Sequence, residues 1–138
     1  MQEALSRIYS WEPVRDVNSG AGMTRALPWL SGEMRSVAER EDVGNSAMRP
    51  MKEWDAWRQE KAIIGATVKV VPQLDDADSS SVTREATVLQ EVQRADGSVD
   101  PLSLVTYEVD VARDKDECWR VWRVTVLHHQ PLSDGVIQ

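Results

Sequence analysis

From Ile63 onward the chain is built of runs in which β-branched and aromatic residues alternate with polar ones, and before Ile63 it is not. The last run, Cys118 to Val126, comes after the charged turn Asp114-Lys115-Asp116-Glu117, which closes another β-rich run from Leu102 to Val111. Two long β runs joined by four polar residues predict the final hairpin of an antiparallel sheet. Everything N-terminal of Ile63 shows helical spacing instead. Helices first and a meander of strands afterwards specify an α+β domain, in which one sheet face packs on helices and the other meets solvent or a partner.

Four strands are expected. The first, Ile63 to Leu74, puts Ala66, Val68, Val70 and Leu74 on one face, with Pro72 marking an edge or a bulge. The second, Val82 to Arg94, turns Val82, Ala86, Val88 and Val92 inward and ends at the hairpin turn Ala95-Asp96-Gly97-Ser98. The third carries Val105, Tyr107, Val109 and Val111 inward, with Thr106, Glu108 and Asp110 outward. The fourth is apolar on both faces: Trp119 and Val121 on one, Trp122, Val124 and Val126 on the other. Such a strand is either covered on both sides or carries a bulge that switches its face partway.

The helical half is less regular. Leu5, Ile8 and Tyr9 form one stripe on a helix that Pro13 ends. Asp16 to Gly22 reads as a polar connection, and Met23, Ala26, Leu27 and Leu30 resume helical spacing with a kink or restart expected at Pro28. Ser31 opens a helix from Gly32 to Glu39 whose Met34, Val37 and Ala38 face inward. After a loop at Asp42 to Pro50, whose turn is Gly44-Asn45-Ser46, a last helix carries Met51, Trp54 and Trp57 toward the sheet.

At 138 residues the chain suits one domain, here residues 1–127, with 128–138 as a polar tail. A net charge of −7 argues against nucleic-acid binding, which needs a basic face. No run approaches the roughly 18 apolar residues of a membrane span, and no secretory leader is visible at the start. The single cysteine, Cys118, excludes an internal disulfide and a multi-cysteine zinc site. Its acidic neighbours argue against a reactive thiolate nucleophile. His128 and His129 are adjacent and would point to opposite strand faces, so no metal site is expected.

Two groups of residues are candidates for binding. Trp54, Trp57, Tyr107 and Trp119 could line a ligand pocket, although the same spacing is what helix-on-sheet packing requires. Trp122, Val124 and Val126 on the outer face of the last strand could form an interface. Tyr107 could serve an isomerase-like site, but no Asp or Glu is expected on the inward faces of the second and third strands to act as its base. The expectation is therefore no catalytic residue and no cofactor.

Helices followed by four antiparallel strands resemble the nuclear transport factor 2-like, or cystatin-like, α+β cone, a curved sheet wrapped on helices. The segment Arg25-Ala26-Leu27-Pro28-Trp29-Leu30-Ser31-Gly32-Glu33-Met34-Arg35 is similar to the helix junction of actinobacterial Mce-associated and TcpC-like conjugation and type IV secretion proteins. The start at Tyr9-Ser10-Trp11 and the Trp119-Arg120-Val121 strand fit the same pattern over residues 5–127. The resemblance implies a non-enzymatic scaffold on the extracytoplasmic side of the cell membrane, held by an anchor this chain does not contain. It implies contacts with other subunits of a secretion or conjugation machine, or with a second copy. The alternatives are a small-molecule-binding or isomerase-like member of the same fold and, for location, the cytoplasm.

Overall fold

The computed structural model describes residues 1–42, 52–71, 80–113, 115–116 and 118–131. The expected loop turn at Gly44-Asn45-Ser46, the helix start at Pro50 and Met51, the Pro72 bulge, Leu74 and the end of the tail lie outside these residues. Helices α1 (Gln2–Tyr9), α2 (Gly20–Arg25), α3 (Gly32–Asp42) and α4 (Trp54–Glu60) precede strands β1 (Ile63–Val70), β2 (Ser81–Gln93), β3 (Val99–Arg113) and β4 (Trp119–Pro131). The strands form one open antiparallel sheet in the order β1-β2-β3-β4. The fold is α+β.

The expected break near Pro28 is a short 3₁₀ turn, Leu27–Trp29, where proline occupies a first-turn position that needs no N–H. Leu30 and Ser31 then touch the sheet: Leu30 bridges Val121, and the Ser31 N–H donates to the Val121 carbonyl at 2.9 Å. At the opposite edge Trp11 and Ile64 exchange two backbone hydrogen bonds of 2.9 Å, which ties the chain after α1 to β1. Helix α4 ends on Lys61 in the left-handed conformation (φ 56°), and this reversal delivers the chain straight into β1.

The core has two parts. The larger joins Leu5, Ile8, Met23 and Leu30 from the helical half to Val68, Val88, Val109 and Val121 from the sheet. The smaller is aromatic, with Trp11, Trp54 and Trp57 packed on Ile64, Val92 and Leu102. Helices α1 and α2 approach very closely, because a Cβ at Gly22 would stand 2.2 Å from the Ile8 carbonyl oxygen.

Three register shifts decide which side chains face the helices. At the first, Gln90 pairs with Ser103 and Glu91 with Pro101, so Leu102 is the extra residue and turns into the aromatic core. The other two lie in β4. Asp110 pairs with Arg123 and Val111 with Val121, leaving Trp122 extra; Thr106 pairs with His128 and Tyr107 with Val126, leaving Leu127 extra. Of the two arrangements open to an apolar β4, the bulge is the one present. Its consequence corrects the simple alternation: Val124 and Val126 pair with the inward residues Val109 and Tyr107 and share the face of Val121, not the face of Trp122. His128 to Pro131, expected in the polar tail, continue β4 instead.

Candidate functional site

An open hollow of about 450 Å³ lies at the junction of the two core clusters, between the C-terminal end of α1, the start of α4 and the inner face of β2 to β4. Its apolar wall comes from Trp11, Leu102, Val105 and Val126. Two cross-strand residues supply a polar patch, the pair Gln90 and Ser103. The Ser103 hydroxyl donates to Gln90 Oε1 at 3.0 Å, and Gln90 Nε2 donates to the Tyr9 carbonyl at 2.7 Å, capping the last turn of α1. That satisfies a buried amide and fixes α1 on the sheet.

Tyr9 and Tyr107 stack across the hollow's inner wall, ring centroids 5.1 Å apart and planes 20° apart. Burial raises the pKa of Tyr9 far above its ordinary value, and the neighbouring Tyr107 phenol adds to that by charge and by hydrogen bonding. Burial likewise raises Tyr107, partly offset by the hydrogen bond with Tyr9. Both phenols therefore stay protonated through the neutral range, as donors and not as bases.

Glu53 and His129 complete the lining. Glu53 stands at the N-cap position of α4, where its side chain makes no capping bond, and it has no ion-pair partner among the described residues. His129 is exposed on β4 opposite Val105. A hollow with this lining can hold an apolar group, offer it a hydrogen bond, and set a carboxylate beside it. Among the described residues no three His, Cys, Asp or Glu side chains come together as a metal site.

The pocket candidates separate. Tyr107 is on the wall, 7% exposed. Trp54 and Trp57 are buried in the aromatic core, their rings 5.9 Å apart, and Trp54 is 5.8 Å from Trp11. Trp11 brings that cluster to the hollow. Trp119 is 38% exposed at the other end of β4, with the Arg113 guanidinium over its ring. The interface candidates separate too: Trp122 is half-buried beside Gly32 and under the Arg123 guanidinium, Val124 packs on the core, and Val126 is exposed at the hollow.

Sequence reasoning missed Trp11, Gln90, Ser103 and Glu53. Gln90 had a usable signal, since it continues the inward series Ala86, Val88, Val92 as a polar residue on an apolar face. Outward-reading Asp110 is also buried, held by the Thr83 hydroxyl at 2.5 Å and Arg123 at 2.7 Å.

No family model matches this chain, and no curated protein is significantly similar to it. Among solved structures, the intermembrane space region of the chloroplast protein ARC6 is similar at a TM-score of 0.45 and 16% identity, covering 91% of this chain and 92% of that one. A likeness of this size carries no function from one protein to the other.

Proposed function

We propose that this chain is a non-enzymatic assembly domain that meets other subunits of a membrane-associated conjugation, type IV secretion or Mce-type machine through protein contacts, on the extracytoplasmic side of the membrane. One observation carries the contact reading: the outermost strand β4 exposes Val126 (57%) and Leu127 (52%) beside a largely apolar hollow. An edge strand presents unpaired backbone groups, and one that also presents apolar side chains is a ready template for another chain. The machine itself is suggested by the resemblance of Arg25 to Arg35 and of Trp119 to Val121. None of the described helices is long and apolar enough to cross a membrane.

The test is a photo-cross-linking residue placed at Leu127, and separately at Lys69 on the opposite edge, in the cells that make the protein. Adducts formed from Leu127 alone and assigned by mass spectrometry to a membrane-machine subunit are expected. Equal adducts from both positions, or a metabolic enzyme as the partner, would sink the reading.

A second reading, a small-molecule binder, rests on the hollow itself, whose volume falls within the roughly 300–1,000 Å³ of ligand sites. An apolar fluorescent probe should then bind saturably and be displaced when Val126→Trp narrows the mouth. A probe signal unchanged by that substitution removes this reading.

A further inference from the structure

On the solvent face of the sheet one row crosses three strands: Glu85 on β2, Glu108 on β3 and Thr125 on β4. Glu85 and Glu108 stand directly opposite each other, a placement in which like charges weaken a sheet. Neither has an ion-pair partner among the described residues. The nearby Arg123 guanidinium feels the charge of Glu108 but makes its contacts elsewhere, with Asp110 Oδ2 at 2.7 Å and with the Trp122 ring at 4.8 Å. The row therefore ends at the sheet edge as two glutamates and a neutral threonine.

Beyond Thr125 there is no further described strand. From Val124 to Gln130 the edge contains no Lys, Arg, Asp, Glu or Pro. The far edge differs, since β1 is bridged by Trp11 and carries Lys69. On the inner face the same stretch of β4 borders the hollow through Val126, with the unpaired Glu53 also on its lining.

We propose that the edge of β4 at Val124 to Val126 receives an extended partner segment in which basic and apolar residues alternate. A Lys or Arg falls beside Thr125, facing Glu108 and Glu85, and apolar side chains fall beside Val124 and Val126 at the mouth of the hollow. This rests on the contact reading above and names its partner's chemistry. A strand added at the usual spacing of about 4.8 Å lies about 10 Å from Glu108, within joint reach of a long basic side chain and a glutamate. The chain's net charge of −7 draws such a segment in from a distance. A second copy would bring its own Arg123 toward this place, but that guanidinium is held by Asp110, and the copy adds another −7.

The test uses the purified full chain and a capped, fluorescein-labelled Lys-Val-Lys-Val-Lys-Val peptide, read by anisotropy. Controls are the Glu-Val version and the block isomer with three Lys followed by three Val. The alternating basic peptide should bind saturably, the acidic one should not, and the isomer should bind several-fold more weakly. The double variant Glu85→Gln, Glu108→Gln removes the repulsion between the two carboxylates together with the exposed attraction of Glu108 for Arg123, so it should fold and lose about three- to tenfold in affinity. Equal binding of the isomer would mean charge attraction alone, and an unchanged double variant would dismiss the glutamate row; either overturns the proposal. Sedimentation showing a dimer that excludes the peptide overturns it in favour of a second copy. If the peptide binds while Leu127 cross-links to no machine subunit in cells, the machine reading falls and this site stands. The reverse pair of results removes the site alone.

Discussion

Asp16 and Arg25 are joined by two hydrogen bonds of 3.0 Å, Nη1 to Oδ1 and Nη2 to Oδ2, so that a residue in a polar connection becomes the anchor of the helical half. The Asp16 carboxylate also accepts the Glu12 N–H at 2.9 Å, and its main-chain carbonyl accepts the Trp54 indole N–H at 3.0 Å. One residue thus ties the segment after α1 to α2 and α4. Asp16→Asn keeps the shape and loses the charge. With the pair partly exposed on the Arg25 side, a loss of about 2 kcal/mol is expected in urea unfolding. A midpoint equal to wild type would show that the pair does not anchor these elements.

Trp54 is 1% exposed, and its N–H reaches the Asp16 carbonyl. Trp54→Ala should cost about 3–5 kcal/mol, and Trp54→Phe, which keeps most of the packing and leaves the Asp16 carbonyl only the Arg58 Nη2 donor at 3.3 Å, should cost clearly less. Equal losses in thermal melts would contradict this division between packing and hydrogen bonding.

Gly22 has no room for a side chain, with the Ile8 carbonyl oxygen 2.2 Å and the Arg7 carbonyl oxygen 2.8 Å from a Cβ built there. Alanine favours helices, so propensity alone predicts a gain from Gly22→Ala. Overpacking against main chain should win and destabilise by about 1–3 kcal/mol. A stabilised variant would mean that α1 and α2 can separate freely.

Stability should fall at both ends of the pH range. Burial works to raise the pKa of Asp110, but hydrogen bonds from Thr83 and Arg123 outweigh it and leave the group below its ordinary 3.8; hydrogen bonding to Arg120 holds exposed Asp116 at about 2. A carboxylate depressed in the folded state stabilises above its unfolded pKa, and that stabilisation is lost as pH falls from about 4 toward 2. The two tyrosines are raised, so their contribution is complete below about 10 and is lost as pH climbs beyond it. Asp110→Asn should flatten the acid limb and Tyr9→Phe the alkaline one. Limbs unmoved by these substitutions in pH-dependent unfolding would reassign the titrating groups.

Leu127 is the extra residue of a bulge and is 52% exposed. Leu127→Lys should change stability by no more than about 0.5 kcal/mol, since it touches no buried feature, yet reduce partner capture in cells. Unaltered capture would move the contact away from this edge.

Alternation and turn chemistry made much of the fold legible. Val68, Ala86, Val88, Val105, Tyr107 and Val109 are buried as period-two spacing requires, because a sheet with one covered face sorts residues strictly by parity. The Asp96-Gly97 turn closes as its sequence dictates, with Gly97 at φ 90° and the Asp96 side chain accepting the Ser98 N–H. Pro28 restarts the chain in a 3₁₀ turn because it cannot donate to a preceding turn.

Tertiary structure alone decided where parity changes. The extra residues Leu102, Trp122 and Leu127 each flip the face of the strand residues beyond them, and a bulge is set by how two strands must bend over a core, which no single strand encodes. The hollow depends on the same cause, since without those shifts Leu102 and Val126 would not both border it. Parity places Gln90 of its polar floor on the inner face, but not its partner: Gln90 meets the Tyr9 carbonyl across 81 positions, and burial of such a group becomes favourable only when a distant partner arrives to satisfy it.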